Sequence, residues 1–257
     1  MAGTGDKKKS TTRFYSRHED SGKAITSMTS HEGPSTAFWN VNLLPSQHTT
    51  ECPPYLQYAF TDLKDQAILS TPDSYYHRHS WSQVTDLITR NRLDLLQRVP
   101  SDLRRYREYC FKIVKEHGSI MSFILIHRLH WTDLKPLSES PFQNPADYKI
   151  LQNDWPYGID LRITHLIIWT KSSFPEDPRT EDLTDEARSE IDAFVSEVFM
   201  ERGGCEREKV RWFRNWNGLK SVHAIEHFHV LLFEAGEGFV RGLTGGDVAL
   251  GRKTGVV

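Results

Sequence analysis

Cysteine is scarce. The chain has three, Cys52, Cys110 and Cys205, an odd number with no CxxC spacing. That argues against a disulfide framework or a zinc ribbon and fits a reducing compartment, so a cytoplasmic location is expected. No apolar run approaches the roughly 18 residues that a transmembrane helix needs. Lys7, Lys8 and Lys9 near the start are not followed by an apolar stretch, so no secretory signal is read there. The phosphate-cradling GxxxxGK(S/T), a GxGxxG turn after a strand and the GxSxG elbow are all missing. ATP, dinucleotide and ordinary serine-hydrolase chemistry therefore have no support. Charge of one sign is missing too, the formal net charge being -2. Any contact with nucleic acid has to come from a local patch.

What is present reads as a soluble globular protein. Of its 257 residues, 38% are hydrophobic and 26% charged, enough for one large domain. Residues 1–50 are rich in Ser, Thr, Gly, Lys and His without periodicity and read as a disordered arm. Residues 51–79 are a transition segment, and firm order is expected from Ser80. "SWSQVTDLITRNRLDLLQRVP" reads as a helix stopped by Pro100, and "SDLRRYREYCFKIVKEHG" as a helix with Ser101 as N-cap and Gly118 as the stop. "SIMSFILIHRL" is a buried strand candidate, and Arg162–Trp169 is another strand. "DEARSEIDAFVSEVFMERGG" is a helix capped by Thr184, and the glycine-rich residues 241–257 read as a loose tail. The class expected is α+β: a single domain over residues 80–240, with a mixed or antiparallel sheet flanked by helices.

Three stretches carry candidate chemistry. "SVHAIEHFHVLLF" puts His223, His227 and His229 at even spacing, hence on one face of a strand whose other face holds Phe228, Val230 and Leu232. Imidazoles so placed can act as base or nucleophile, or hold a metal with Asp160 or His165 as third ligand; equally they can be hydrogen-bonded core groups. "EDPRTEDLTDE" clusters Glu176, Asp177, Glu181, Asp182, Asp185 and Glu186. Such a cluster can grip a guanidinium, or simply cap the following helix. Arg90, Arg92, Arg98, Arg104, Arg105, Arg107, Lys112 and Lys115 form a basic ridge, and "KVRWFRNW" sets Arg211 and Arg214 among aromatics. These can meet phosphates and stack bases, or form an ordinary solvated face. Ser119 and Ser221 are further hydroxyls to consider as nucleophiles.

"HFHVLL" resembles the alternating histidines of the histidine-triad nucleotide hydrolases, with His227 and His229 matching two of three. A longer likeness covers about residues 80–233. "DYKILQNDWPYGIDLRITHLIIWTK", "DLTDEARSEIDAF" and "WFRNWNGLKSVHAIEHFHVLLF" resemble the fungal family of unknown function that includes N-acetylglucosamine-induced protein 1. Fungal arginine-containing cyclodipeptide synthases look related to it. That resemblance implies an enzyme that joins arginine from arginyl-tRNA to a residue from a second aminoacyl-tRNA, making cyclo(Arg–Xaa) without cofactor, metal or membrane. The synthases are marked by DDxxE; here "EDLTD" stands nearest, so Glu181, Asp182 and Asp185 would hold the arginine or its α-amine. His227 and His229 would transfer protons, and Arg104, Arg105, Lys112 and Arg211 would meet tRNA phosphate. The alternatives are a histidine-dependent nucleotide or sugar-nucleotide hydrolase or transferase, and a non-catalytic regulatory protein.

Overall fold

A computed structural model describes residues 36–180, 182–216 and 225–253. Its centre is a four-stranded antiparallel sheet in the order β1-β2-β6-β5. In chain order the strands are β1 (Tyr148–Gln152), β2 (Ile163–Thr170), a small β3–β4 ribbon (Glu176–Asp177, Asp182–Leu183), β5 (Val210–Phe213) and β6 (Glu226–Phe233). The helices are α1 (Leu63–Leu69), α2 (Trp81–Thr89), α3 (Pro100–His117), α4 (Ile120–Phe123), α5 (Asp185–Val195), α6 (Glu237–Thr244) and α7 (Leu250–Lys253). The architecture is α+β.

Alternation along the strands creates two different faces. Opposed pairs fix them: Leu166 faces Val230 and Ile168 faces Phe228, whereas Ile167 faces His229 and Trp169 faces His227. The first set is apolar. It packs on Ile191, Phe194 and Val195 of α5 and on Val198 and Phe199 of the π-turn that continues it. Leu166, Ile168, Phe228 and Val230 are completely enclosed, each worth about 1.5–3 kcal/mol of burial. Thr184 caps α5, accepting a hydrogen bond from the Ala187 amide.

The second face carries Leu151, His165, Ile167, Trp169, His227, His229, Leu231 and Phe213. The helices of the N-terminal half cover it. Val84, Leu87, Leu93 and Leu96 pack on Ile163, Phe213 and Leu231, while Ile120, Ile124 and Leu125 pack around Leu151 and Trp169.

Several sequence expectations are corrected. "SIMSFILIHRL" is not a strand but α4 running into a π-turn, Ile124–Leu129. Ser119 caps it by accepting from the Ser122 amide, and Ile120, Ile124 and Leu125 share a helical face; a short apolar run is ambiguous by periodicity alone. The helix expected to reach Pro100 ends at Thr89, where Asn91 takes a left-handed φ of 52°. Pro100 instead opens α3 at its first helical position, with Val99 rather than Ser101 as N-cap. Gly118, at φ 80°, ends α3 as expected.

The ordered region is also wider than expected. Residues 36–50 pack rather than dangle: Phe38 lies with Leu56, Ala59, Leu69 and Leu103 in one cluster, and Asn40 exchanges hydrogen bonds with Thr49. Of the segment expected to be a loose tail, residues 241–253 form the end of α6 and α7, tied down by Asp247, and residues 254–257 lie outside the described residues. The arm's expected disorder over residues 1–35 lies outside the described residues, as do Glu181, Ser221 and His223.

Candidate functional site

Between the histidine face and the helices lies a cavity of about 320 Å³, at the small end of the ligand-site range. His227 and His229 of β6, Ile167 and Trp169 of β2, and Asn215 just after β5 form its floor. Tyr106, Tyr109 and Cys110 from α3, Arg98 before it, and Asn153, Asp154, Trp155 and Tyr157 from the "QNDWPYG" turn form its walls. That turn is shaped by Asn153, whose Oδ1 accepts from the Trp155 amide at 2.9 Å.

The polar floor is one connected chain. Trp155 fixes the Asn153 carboxamide, whose Nδ2 lies 3.1 Å from His165 Nε2 and 3.4 Å from its Nδ1. His165 Nε2 and His229 Nδ1 are 2.9 Å apart and share one proton. His229 Nε2 lies 3.2 Å from the Asn215 carboxamide, which also reaches the Tyr157 hydroxyl at 3.2 Å. Both rings are neutral. Burial lowers His165 to about 3, helped by the Arg98 charge. Burial also pushes His229 well below the usual histidine value, with His165, His227 and Arg98 adding to it. Phe213 stacks on the His229 ring at 4.8 Å.

His227 is set differently. Its Nδ1 lies 2.8 Å from the Ile225 carbonyl, which can only accept, so Nδ1 holds the proton. In the neutral ring the lone pair then sits on Nε2. Trp169 stacks on the ring at 4.6 Å, fixing its plane.

Two arginines reach this space in opposite states. Arg128 is saturated: its Nε donates to Asp154 and both terminal nitrogens to Asp247 at 2.7 and 2.9 Å. Arg98 is not. Its Nε donates to the Trp155 carbonyl at 3.1 Å, and its guanidinium lies 4.0 Å over the Tyr106 ring. Among the described residues no carboxylate pairs with it. Burial raises Tyr109 to about 12, with Asp154 contributing, and raises the Cys110 thiol. Neither is ionised at neutral pH.

The residues expected to act together are not all here. Asp182 and Asp185 do not line the cavity. Asp182 sits on the β3–β4 ribbon, 2.9 Å from Arg188, and Asp185 opens α5. Glu176 and Glu226 bind the buried Arg214. The basic ridge is largely engaged with its own neighbours. Arg104 is buried, bonded to the Trp39 carbonyl and the Tyr55 hydroxyl. Arg105 pairs with Asp102, Lys112 with Glu108 at 2.9 Å, and Arg107 with Asp65 at 2.6 Å. Arg211 bonds the carbonyls of Arg207 and Val210 and lies over Trp81.

Asp160 is held by Arg162 and does not line the cavity. Among the described residues no group of three His, Cys, Asp or Glu side chains is disposed to hold a metal ion. Asn153, Trp155, Tyr157 and Asn215 are not among the site residues expected from sequence, and Arg98 is expected only as one member of the basic ridge. For Asn153, Trp155 and Tyr157 the signal is the unusual "NDWPYG" string.

Residues 80–233 match the family described as "Protein of unknown function (DUF3605)". "N-acetylglucosamine-induced protein 1" of Candida albicans is 26% identical over 238 residues, which is 83% of this chain and 93% of that protein. "Uncharacterized protein YPL067C" of Saccharomyces cerevisiae is 28% identical over 157 residues, 60% of this chain and 78% of its own. A solved structure, "Crystal Structure of HTC1", superposes with a TM-score of 0.52 at 26% identity, covering 65% of this chain and 94% of that one.

Proposed function

The chain belongs to the DUF3605 family, and from that premise we propose that it is an enzyme whose active site is the histidine-floored cavity. The reaction is histidine-dependent hydrolysis or group transfer on a small ligand bearing an anionic group, such as a sugar phosphate or sugar nucleotide. One observation carries this: Arg98 is a cation with no carboxylate partner among the described residues, in a cavity whose floor holds His227 beside a buried, neutral His229. An unpaired guanidinium in a partly desolvated wall favours phosphate or carboxylate, which it can bind in bidentate fashion.

Roles follow from the tautomers. His227, proton on Nδ1, takes a proton at Nε2 from an attacking water or hydroxyl as the bond to the leaving group breaks. His229 and His165 are poor bases in their neutral buried state. They hold the floor rigid through Asn153 and Asn215. The name of the Candida relative records induction by N-acetylglucosamine, which makes hexosamine phosphates the first compounds to try.

The test is phosphate release from a panel of sugar phosphates and sugar nucleotides. Turnover lost in His227→Gln and weakened in KM by Arg98→Ala supports the reading. No turnover by the wild type, or turnover indifferent to His227, removes it.

A second reading is the tRNA-dependent cyclo(Arg–Xaa) synthase. It is supported by the contact Asp182 already makes with a guanidinium, that of Arg188, the same contact an arginyl substrate would take. It needs Arg105, Lys112 and Arg211 to exchange their present partners for tRNA phosphate. Mass spectrometry of a host expressing the chain decides it: cyclo(Arg–Xaa) ions lost in Asp182→Asn support the synthase, and their absence from soluble folded protein refutes it.

A further inference from the structure

We propose that a second cavity of this protein binds a small amphipathic anion, a carboxylate or phosphate carried on an apolar body. This cavity has a volume of about 640 Å³, inside the usual range of small-molecule sites. The start of β2, the turn after β1 and the α6–α7 segment line it. It is separate from the histidine-floored cavity, with which it shares only Gln152, Asn153 and Asp154.

The charges in its wall leave cations over. Arg162 is held by Asp160 and by Glu234, the second of which also lines the cavity. Asp154 and Asp247 are held by Arg128. Asp154 Oδ1 further accepts from the Leu250 amide at 2.9 Å, and Asp247 Oδ2 from the Gln152 amide at 3.1 Å. Both acids are thus already engaged. Arg241, in the last turn of α6, and Arg252 of α7 remain, with only the carboxylate of Glu237 beside them in the lining. Among the described residues no ion pair joins Glu237 to either arginine, and neither guanidinium has a hydrogen-bond partner. Both side chains are exposed. Two free guanidinium groups, brought to one cavity by separate helices, suit an oxyanion, to which each can offer a pair of parallel N–H donors.

Much of the remaining lining is aliphatic. Ile163, Val240 and Ala249 are buried, whereas Leu161 and Val248 are 77% and 41% exposed. Exposed aliphatic groups at the wall of a cavity gain from a hydrocarbon that takes them out of water, and gain nothing from a bare ion. An organic cation would meet the two arginines with like charge, and a neutral hydrocarbon would leave both unused. An anionic head on an apolar body uses both parts of the wall.

Calorimetric titration of the full chain with hexyl phosphate, hexanoate, hexanol, hexylammonium and inorganic phosphate tests this. Hexyl phosphate or hexanoate should bind at least about tenfold more tightly than the other three, and the better of the two identifies the head group. Arg241→Ala and Arg252→Ala should each weaken that binding about tenfold. Leu161→Ser and Val248→Ser should weaken it as well while melting with wild type, because both side chains are exposed. Arg98→Ala should leave it unchanged. Binding that is lost in Arg98→Ala and kept in the Arg241 and Arg252 variants places the probe in the first cavity and overturns the proposal. Equal binding of hexyl phosphate and inorganic phosphate overturns it, as does binding indifferent to both arginines or no binding of any probe. None of these failures touches His227-dependent phosphate release, which tests the first cavity by itself.

Discussion

Lowering the pH from about 7.5 to about 5 should cost this protein a large part of its stability, and the buried His165–His229 pair sets the size of the loss. An unfolded histidine titrates near 6.5. In the fold, burial holds His165 at about 3 and His229 well below its ordinary value. Between the two values the unfolded chain binds a proton that the folded chain refuses. Stability is therefore whole above the unfolded pKa and drains away as pH falls beneath it. At pH 5 the gap is roughly 1.5 units, or about 2 kcal/mol per ring and about 4 kcal/mol for the pair, at roughly 1.4 kcal/mol per unit. A domain of this size has only about 5–15 kcal/mol in total.

His165→Gln isolates the effect. The glutamine side chain can hydrogen-bond His229 Nδ1 and Asn153 Nδ2 in place of the ring, but it does not titrate. Urea unfolding at the two pH values should show the variant losing about half as much stability as wild type. Asp154, raised by burial, acts with the opposite sign, its contribution growing as pH falls. It is common to both proteins and cancels in the difference. Equal losses in wild type and His165→Gln would refute the reasoning, because the ring would then be titrating normally or the acid loss would come from elsewhere.

Other perturbations have separate causes. Arg128→Met strands the carboxylates of Asp154 and Asp247 in a buried site, and should lower unfolding stability by about 3–5 kcal/mol, measured at pH 7.5. Gly158→Ala drives a methyl group into the hydroxyl and ring of Tyr76; a loss of about 1–3 kcal/mol is expected, and Tyr76→Ala in the same background should recover part of it. Thr184→Ala removes the cap of α5 and should cost about 1 kcal/mol in the same assay.

The strands and the amphipathic helices could be read because their signals are local. Alternation in "EHFHVLLF" set Phe228, Val230 and Leu232 against His227 and His229, and Thr184 with its acidic first turn marked α5. Elements whose identity depends on what they touch were misread. "SIMSFILIHRL" is apolar enough for a strand, and only its contact with Leu151 and Trp169 makes it a helix. The glycines after residue 236 looked loose because the partner of Asp247, Arg128, lies 119 residues earlier.

The site was half visible for the same reason. A histidine is conspicuous in a strand, so His227 and His229 stood out. Nothing local reveals whether such a ring is charged, and burial answers that against His229. Clustered acids in one loop are equally conspicuous, yet Asp182 and Asp185 belong to the opposite side of the architecture, with the ribbon and α5. The cavity is instead completed by single residues from separate segments: Arg98 before α3, Trp155 in the turn after β1, Asn215 after β5. Arg98 looked like one more cation in a ridge of eight. It differs from Arg104, Arg105 and Arg107 in that, among the described residues, no acid, carbonyl or hydroxyl sits at its terminal nitrogens, a property of the space around it.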